Sequence, residues 1–264
     1  MLIIGERINS SRKRIAEAMS CRDKSVIQAE AKSQAEAGAH YIDVNAGAFI
    51  GDEAEYLKWA IDAVQEVCDL PLCIDSPDAG VIRKVLPIVR DTPMINSITL
   101  EPSRIEGMLP LAADFNARVI ALCQSKDLIA DSTEAKIELA SQLVEKVELA
   151  GIPSDSLYID PMVYPLGTNT SSAMATLNAI DSIMKEFPGV HTVCGLTNIS
   201  HGLPGRRLIN SVFLVSAIIR GLDAAIMDPT DNHLYGSLRA ALTVAGKDEF
   251  CMEYIRAFRA GRLE

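Results

Sequence analysis

Residues 71–76 read Pro-Leu-Cys-Ile-Asp-Ser: three apolar side chains run straight into a carboxylate, with a proline before them and a serine after. One such run is ambiguous between a buried strand and a turn of helix. Its repetition resolves the ambiguity. YIDVN at 41–45, MINS at 94–97, YIDP at 158–161, LTNIS at 196–200 and AIMDP at 225–229 all close an apolar stretch on Asp or Asn. Apolar runs near 2–5, 40–44, 71–75, 93–96, 117–122, 156–160, 191–195 and 223–227 give eight strands, with helix-period segments between them. RVIALC (118–123) and AAIM (224–227) are almost uniformly apolar, as strands covered on both faces are. Eight alternations predict an α/β chain closed as a (β/α)8 TIM barrel, a fold of ~250 residues. The 264 residues then form a single domain, 1–264. In such a barrel the C-terminal strand ends converge, so Asp43, Asn45, Asp75, Asn96, Asp160, Asn198 and Asp228 ring one pocket.

Between these runs the helix signals are local. Ile137, Ala140, Val144 and Val147 share a helical face before the stop at Gly151 and Pro153, and Leu57, Ile61, Val64 and Cys68 repeat the spacing. Ser76-Pro77 reads as a helix start, which leaves Asp75 just outside it. An open, doubly wound sheet shares the alternation and is the structural alternative. Its usual dinucleotide signal is missing, since GERINSSRKR follows the first strand where GxGxxG belongs, and the chain has no GK[ST] phosphate loop.

A net charge of −10 argues against a nucleic-acid partner, whose phosphates need a basic surface. No apolar stretch nears the ~20 residues of a membrane span, and MLIIGERIN lacks the form of a signal peptide, so a cytoplasmic protein is expected. The six cysteines have neither disulfide-framework nor zinc spacing and read as reduced thiols.

Taken singly, an Asp or Asn after a strand serves a turn or a helix cap. As a set, Asp75 and Asp160 aim acceptor-only carboxylates, and Asn96 an amide, at one cavity. That polarity suits a flat heterocycle edged with N–H groups, such as a pterin, whose 2-amino group and ring N–H pair with one carboxylate. A phosphate wants the opposite polarity. A divalent metal is the competing occupant, disfavoured by the asparagines and by the lack of a close His/Asp cluster, and no metal is expected.

The ordered segments GERIN, YIDVNAG, LCIDS, MINS, YIDP, GLTNIS, RRLIN and GLDAAIMD resemble the methyltetrahydrofolate:corrinoid protein methyltransferases of one-carbon metabolism. They are also similar to the folate domain of cobalamin-dependent methionine synthase. The resemblance spans Met1 to about Asp231. It implies a pterin-binding barrel in which Asp75, Asn96 and Asp160 hold the ring and Asn198 lies beside the nitrogen that carries the methyl group. Gly195, Ser200, His201, Arg206 and Ile226 join the binding surface, with Arg206 facing the glutamate tail or an acidic patch on a partner. His201 stands where the family pattern has a polar amide, and a solvated loop histidine is its simplest reading.

Methyl transfer to cobalt(I) needs electron demand at the nitrogen, and the resemblance implies a hydrogen-bond network through Asn198 that supplies it, with Asp228 a candidate member and Glu6, Asp43 and Asn45 reading equally as members or as structural partners of loop amides. The substrate is tetrahydrofolate or its methyl form. No DxHxxG pattern or zinc-binding cysteine cluster is present, so the corrinoid, a cobalamin-type group, arrives on a separate partner protein. The family pattern also implies a homodimer. The basic run Arg12, Lys13, Arg14 reads equally as a solvated helix start or loop and as a ligand contact, and is left outside the site. Two other functions share the pocket: a dihydropteroate synthase-like enzyme, and a non-catalytic folate-binding scaffold. The first is expected to carry Ser-Arg-Lys after the seventh strand and Arg-x-His near the eighth, where this chain has GLTNIS and AIMDP.

Overall fold

A computed structural model describes residues 1–263. Among them eight parallel strands pair in chain order and close on themselves: Leu2–Asn9 (β1), Tyr41–Asn45 (β2), Leu72–Asp75 (β3), Met94–Ile98 (β4), Arg118–Leu122 (β5), Leu157–Asp160 (β6), His191–Gly195 (β7) and Ala224–Met227 (β8). Closure comes from β1, which pairs with β2 on one side and β8 on the other. The helices are Lys13–Ser20 (α1), Lys24–Glu36 (α2), Glu53–Gln65 (α3), Ala79–Val85 (α4), Pro102–Asp114 (α5), Thr133–Leu149 (α6), Ser172–Glu186 (α7), Arg206–Ile219 (α8), Asn232–Val244 (α9) and Met252–Arg259 (α10). The sheet is closed, so the doubly wound alternative falls away.

The two-residue period of a strand explains both the core and the site. Ile4, Tyr41, Cys73, Met94, Ile120, Tyr158, Val193 and Ala224, one from each strand, fill the barrel interior as a buried plug. Each large apolar side chain in it contributes roughly 1.5–3 kcal/mol by burial. Two residues further along each strand stand Glu6, Asp43, Asp75, Asn96, Leu122, Asp160, Gly195 and Ile226. The layer above the plug is therefore polar on five strands. The outward faces pack against the helices, as with Ile42, Val44, Ile74, Ile95, Val119 and Ile159 against Leu57, Ile61, Ile82, Leu139 and Leu143.

Two local expectations are corrected. β1 runs to Asn9, not to Gly5, with a register irregularity between Gly5 and Ile8. The charges that seem to end it are each answered: Glu6 turns to the mouth, while Arg7 turns outward and donates to Glu30 on α2 and, at 2.7 Å, to Asp228. The helix after β3 is capped by Asp78, whose carboxylate accepts from the amides of Gly80 and Val81, so Ser76-Pro77 lies in the preceding turn. In α6 the buried stripe is Lys136, Leu139, Ala140, Leu143, Val144 and Val147, with Ile137 at its margin.

Candidate active site

At the C-terminal end of the barrel a cavity of about 460 Å³ is lined by Glu6, Asn9, Ser11, Arg12, Asp43, Asp75, Asn96, Asp160, Gly195, Thr197, Asn198 and Ile226. Seven of these are the strand-end layer; Leu122 alone of that layer does not reach it. The rest come from Asn9 at the end of β1, from Ser11 and Arg12 in the turn that follows it, and from the 3-10 turn Leu196–Ser200 after β7.

The strand-end polar groups are oriented by one another. Asn45 Oδ1 accepts from Ser10 Oγ and the Gly47 amide, both at 3.0 Å, which directs Nδ2 to donate to Asp75 Oδ2 at 3.0 Å. Asn96 Nδ2 donates to Asp43 Oδ1 at 3.2 Å. The Met162 amide donates to Asp160 Oδ1 at 2.8 Å. Asp43, itself in the lining, and Asn45, outside it, thus hold the side chains of Asn96 and Asp75 in place.

Burial dominates the electrostatics. It pushes the Asp160 carboxyl up to about 6 against the opposing effects of the Met162 amide and Lys136. Burial likewise raises Asp75 to about 6, with Asn45 opposing. Glu6 rises to about 7, again by burial, with Arg12 pulling it down and Asp228 pushing it up. Asp43, wholly enclosed and next to Asp75, is held well above the usual carboxylate range. Arg12, whose Nη2 lies 4.0 Å from Glu6 Oε1, is the one cation lining the cavity among the described residues. A phosphate has little to bind here; a ligand presenting N–H groups to carboxylates does.

Asn198 differs from the other lining amides. It is exposed, and among the described residues its side chain has no hydrogen-bond partner, so both its donor and its acceptor are free for a ligand. Gly195 makes room for it, since a β-carbon there would lie 3.3 Å from Asn198 Nδ2. The turn is tied from behind. Arg206 donates from Nη2 to the Thr197 carbonyl at 2.8 Å and from Nε to Ser200 Oγ at 3.0 Å, while Ser200 Oγ donates to Asn210 Oδ1 at 2.7 Å.

The structure brings Glu6, Asp43, Asp75, Asn96, Asp160, Gly195, Asn198 and Ile226 into one cavity. It leaves Ser200, His201 and Arg206 outside the lining: Ser200 is buried under the turn, Arg206 is spent on that turn, and His201 is exposed beyond it. Asn45 supports Asp75, and Asp228 is turned to Arg7 and Thr230. Arg12, left outside the site on the sequence alone, lines the mouth, as do Asn9, Ser11 and Thr197. The signal missed was the length of β1, whose four extra residues carry this segment across the opening.

A model of the pterin-binding enzymes matches residues 5–228. The chain is 37% identical over 265 residues to the methylcorrinoid:tetrahydrofolate methyltransferase of Eubacterium limosum, covering 100% of this chain and 98% of that one. It is 30% identical over 240 residues to the methionine synthase of Mycobacterium tuberculosis, across 86% of this chain and 20% of that much longer protein. Among solved structures, the dihydropteroate synthase of Coxiella burnetii in complex with pteroic acid superposes with a TM-score of 0.72 at 14% identity, covering 93% of each chain. That last likeness is one of fold.

Proposed function

Since the chain belongs to the family of pterin-binding enzymes, we propose that it moves a methyl group between N5 of tetrahydrofolate and the cobalt of a corrinoid carried by a separate protein. One observation carries the reading: carboxylates on β3 and β6, an amide on β4 and the unpaired Asn198 share one cavity at the barrel mouth. Asp75 and Asp160, when ionised, accept the N–H edge of the pterin, and Asn96, steadied by Asp43, supplies the mixed donor and acceptor between them.

Asn198 donates toward N5. In the direction of folate methylation, N5 attacks the methyl carbon, the cobalt–carbon electron pair stays on cobalt as cobalt(I), and the N5 proton leaves. In the reverse direction the same proton must be returned. Asn198 cannot supply a proton of its own, so it acts by a hydrogen bond to N5, with Glu6 and Asp43 lining the same cavity. Glu6, with its carboxyl near 7, is suited to take and give that proton near neutrality. The corrinoid protein docks over the open mouth, which brings cobalt in line with the N5–methyl bond.

All six cysteines are free, and four are buried, which suits a reducing cytoplasm. The charge of −10 disfavours nucleic acid. No helix is long and apolar enough to cross a membrane among the described residues. Met174 on α7 and Leu208 and Val212 on α8 are exposed together around an apolar groove, a surface suited to pairing with a second copy.

The test is a two-way transfer assay. Purified protein, methyltetrahydrofolate and a reduced corrinoid protein give methylcobalt, seen as a change in the visible spectrum, and methylcorrinoid with tetrahydrofolate gives the reverse. Tight folate binding with no turnover in either direction defeats the proposal in favour of a scaffold.

A further inference from the structure

Lys136 is the anomaly of the interior. It stands on α6 with no exposed surface, and among the described residues no carboxylate lies within salt-bridge distance of it. A methionine or leucine would fill the same space without the desolvation cost of an ammonium. Its Nζ instead meets three backbone carbonyls, those of Ala130, Pro161 and Met162, each at 2.7 Å. Carbonyls only accept, so all three contacts need an N–H, and a neutral amine has two. The geometry therefore requires the charged form.

Two of the three carbonyls belong to the residues that follow Asp160. The peptide group joining Pro161 to Met162 is bonded at both ends: its C=O accepts from Lys136 Nζ, and its N–H donates to Asp160 Oδ1 at 2.8 Å. An ammonium on one end of an amide polarises it and strengthens the hydrogen bond given by the other. The next carbonyl, of Met162, accepts from Lys136 and also from Thr176 Oγ1 at 3.2 Å, which holds Met162 at φ +63°, a left-handed conformation that a methionine seldom adopts.

We propose that Lys136 is the positioning residue for Asp160, acting as its buried counter-charge and, through the Pro161–Met162 peptide, as the clamp that aims its carboxylate into the cavity. The groups facing Asp160 from the surrounding elements leave this part to Lys136. Cys123 after β5 and Cys194 on β7 are thiols pushed up by burial and stay neutral, Tyr164 brings no positive charge, and Asp131 acts on Lys136 rather than on Asp160. Burial lowers the lysine's own value, and the nearby thiols and Asp160 oppose that. The proposal rests on the pterin-anchoring role given to Asp160 above.

It is tested first without folate. The carboxyl carbon of Asp160 is followed by NMR against pH in carbon-13 aspartate-labelled protein, its signal assigned by its loss in Asp160→Asn. Lys136→Met is expected to raise the midpoint by at least one pH unit, a tenfold gain in proton affinity or more, whereas Thr176→Val, which removes only the neutral donor to the Met162 carbonyl, leaves it in place. Folded Lys136→Met with an unchanged midpoint overturns the proposal. Where Lys136→Met does not fold, Lys136→Gln removes the charge and keeps a donor. In unaltered protein the Lys136 side-chain signals must report an ammonium at pH 7, and a neutral amine there overturns the proposal with no variant needed. Methyltetrahydrofolate affinity is measured separately: a shifted midpoint without any folate binding by the unaltered protein upholds the Lys136 assignment and sinks the folate reading instead.

Discussion

Asp160→Asn should make the empty protein more stable while ruining its site. The carboxyl moves from an ordinary 3.8 to about 6 on folding, because burial disfavours the anion more than the Met162 amide and Lys136 restore it. Its folded-state value lies above its unfolded one, so folding favours the protonated form. The side chain's contribution is therefore full below pH 3.8 and is lost as pH rises through 6. At pH 8 the ionised carboxylate costs the fold ~3 kcal/mol; about half of that remains at pH 5 and almost none at pH 3. Asparagine has the same shape, still accepts from the Met162 amide and never ionises. Thermal melts of ligand-free protein should show the variant melting roughly 6 °C higher at pH 8, with the gain shrinking steadily toward pH 3. At pH 8 the same protein should bind methyltetrahydrofolate at least tenfold more weakly, since a neutral amide presents an N–H where the pterin needs an acceptor. A variant less stable than the parent at pH 8, or one whose gain is the same at pH 5 and pH 8, would refute the reasoning, because the penalty would not then come from ionisation.

Asn198→Ala removes the amide assigned to N5, and should lower kcat for methyl transfer about tenfold or more with less effect on folate Kd; single-turnover kinetics beside equilibrium binding will tell, and a loss confined to binding contradicts the assigned role. Gly5→Ala places a methyl on the Gln34 side-chain oxygen that accepts from the Arg7 amide at 3.0 Å, so denaturant melts should show a loss of about 1–3 kcal/mol, and an unchanged midpoint means Gln34 moves freely. Val212→Glu sets a charge on the exposed apolar face of α8 and should convert a dimer to monomer in sedimentation analysis without changing folate affinity; a variant that stays dimeric moves the interface elsewhere.

What the sequence made legible was what its periodicity encodes. A run such as Leu72–Asp75 declares a strand, its burial on both faces and the polar residue at its end, because all three follow from side chains that alternate above an apolar plug. Eight such runs in succession carry the barrel with them. What stayed hidden depends on partners far along the chain. Glu6 and Arg7 look like the end of a strand until Glu30 and Asp228 are placed beside them. Arg12 follows from that error, since the segment crossing the mouth was counted as leaving it. Ser200 and Arg206 sit in or beside the loop after the seventh strand by their order in the sequence, yet their hydrogen bonds close on Asn210 and Thr197 within the protein. Lys136 is invisible for the opposite reason: on a helix of alternating charge it reads as one more solvated lysine, and only its three carbonyl partners show it to be interior.

The carboxyls at the mouth also make the empty site a small store of protons. With Asp75 and Asp160 near 6 and Glu6 near 7, the unliganded cavity holds a fraction of a proton at neutral pH that exposed carboxylates would have shed. A pterin that donates N–H groups to those oxygens favours their ionised forms, so capturing it drives protons out to solvent. On the proposed reading, folate affinity is thereby coupled to the acidity of the surroundings: protons compete with the pterin for the same lone pairs, and affinity should fall as pH falls through 6.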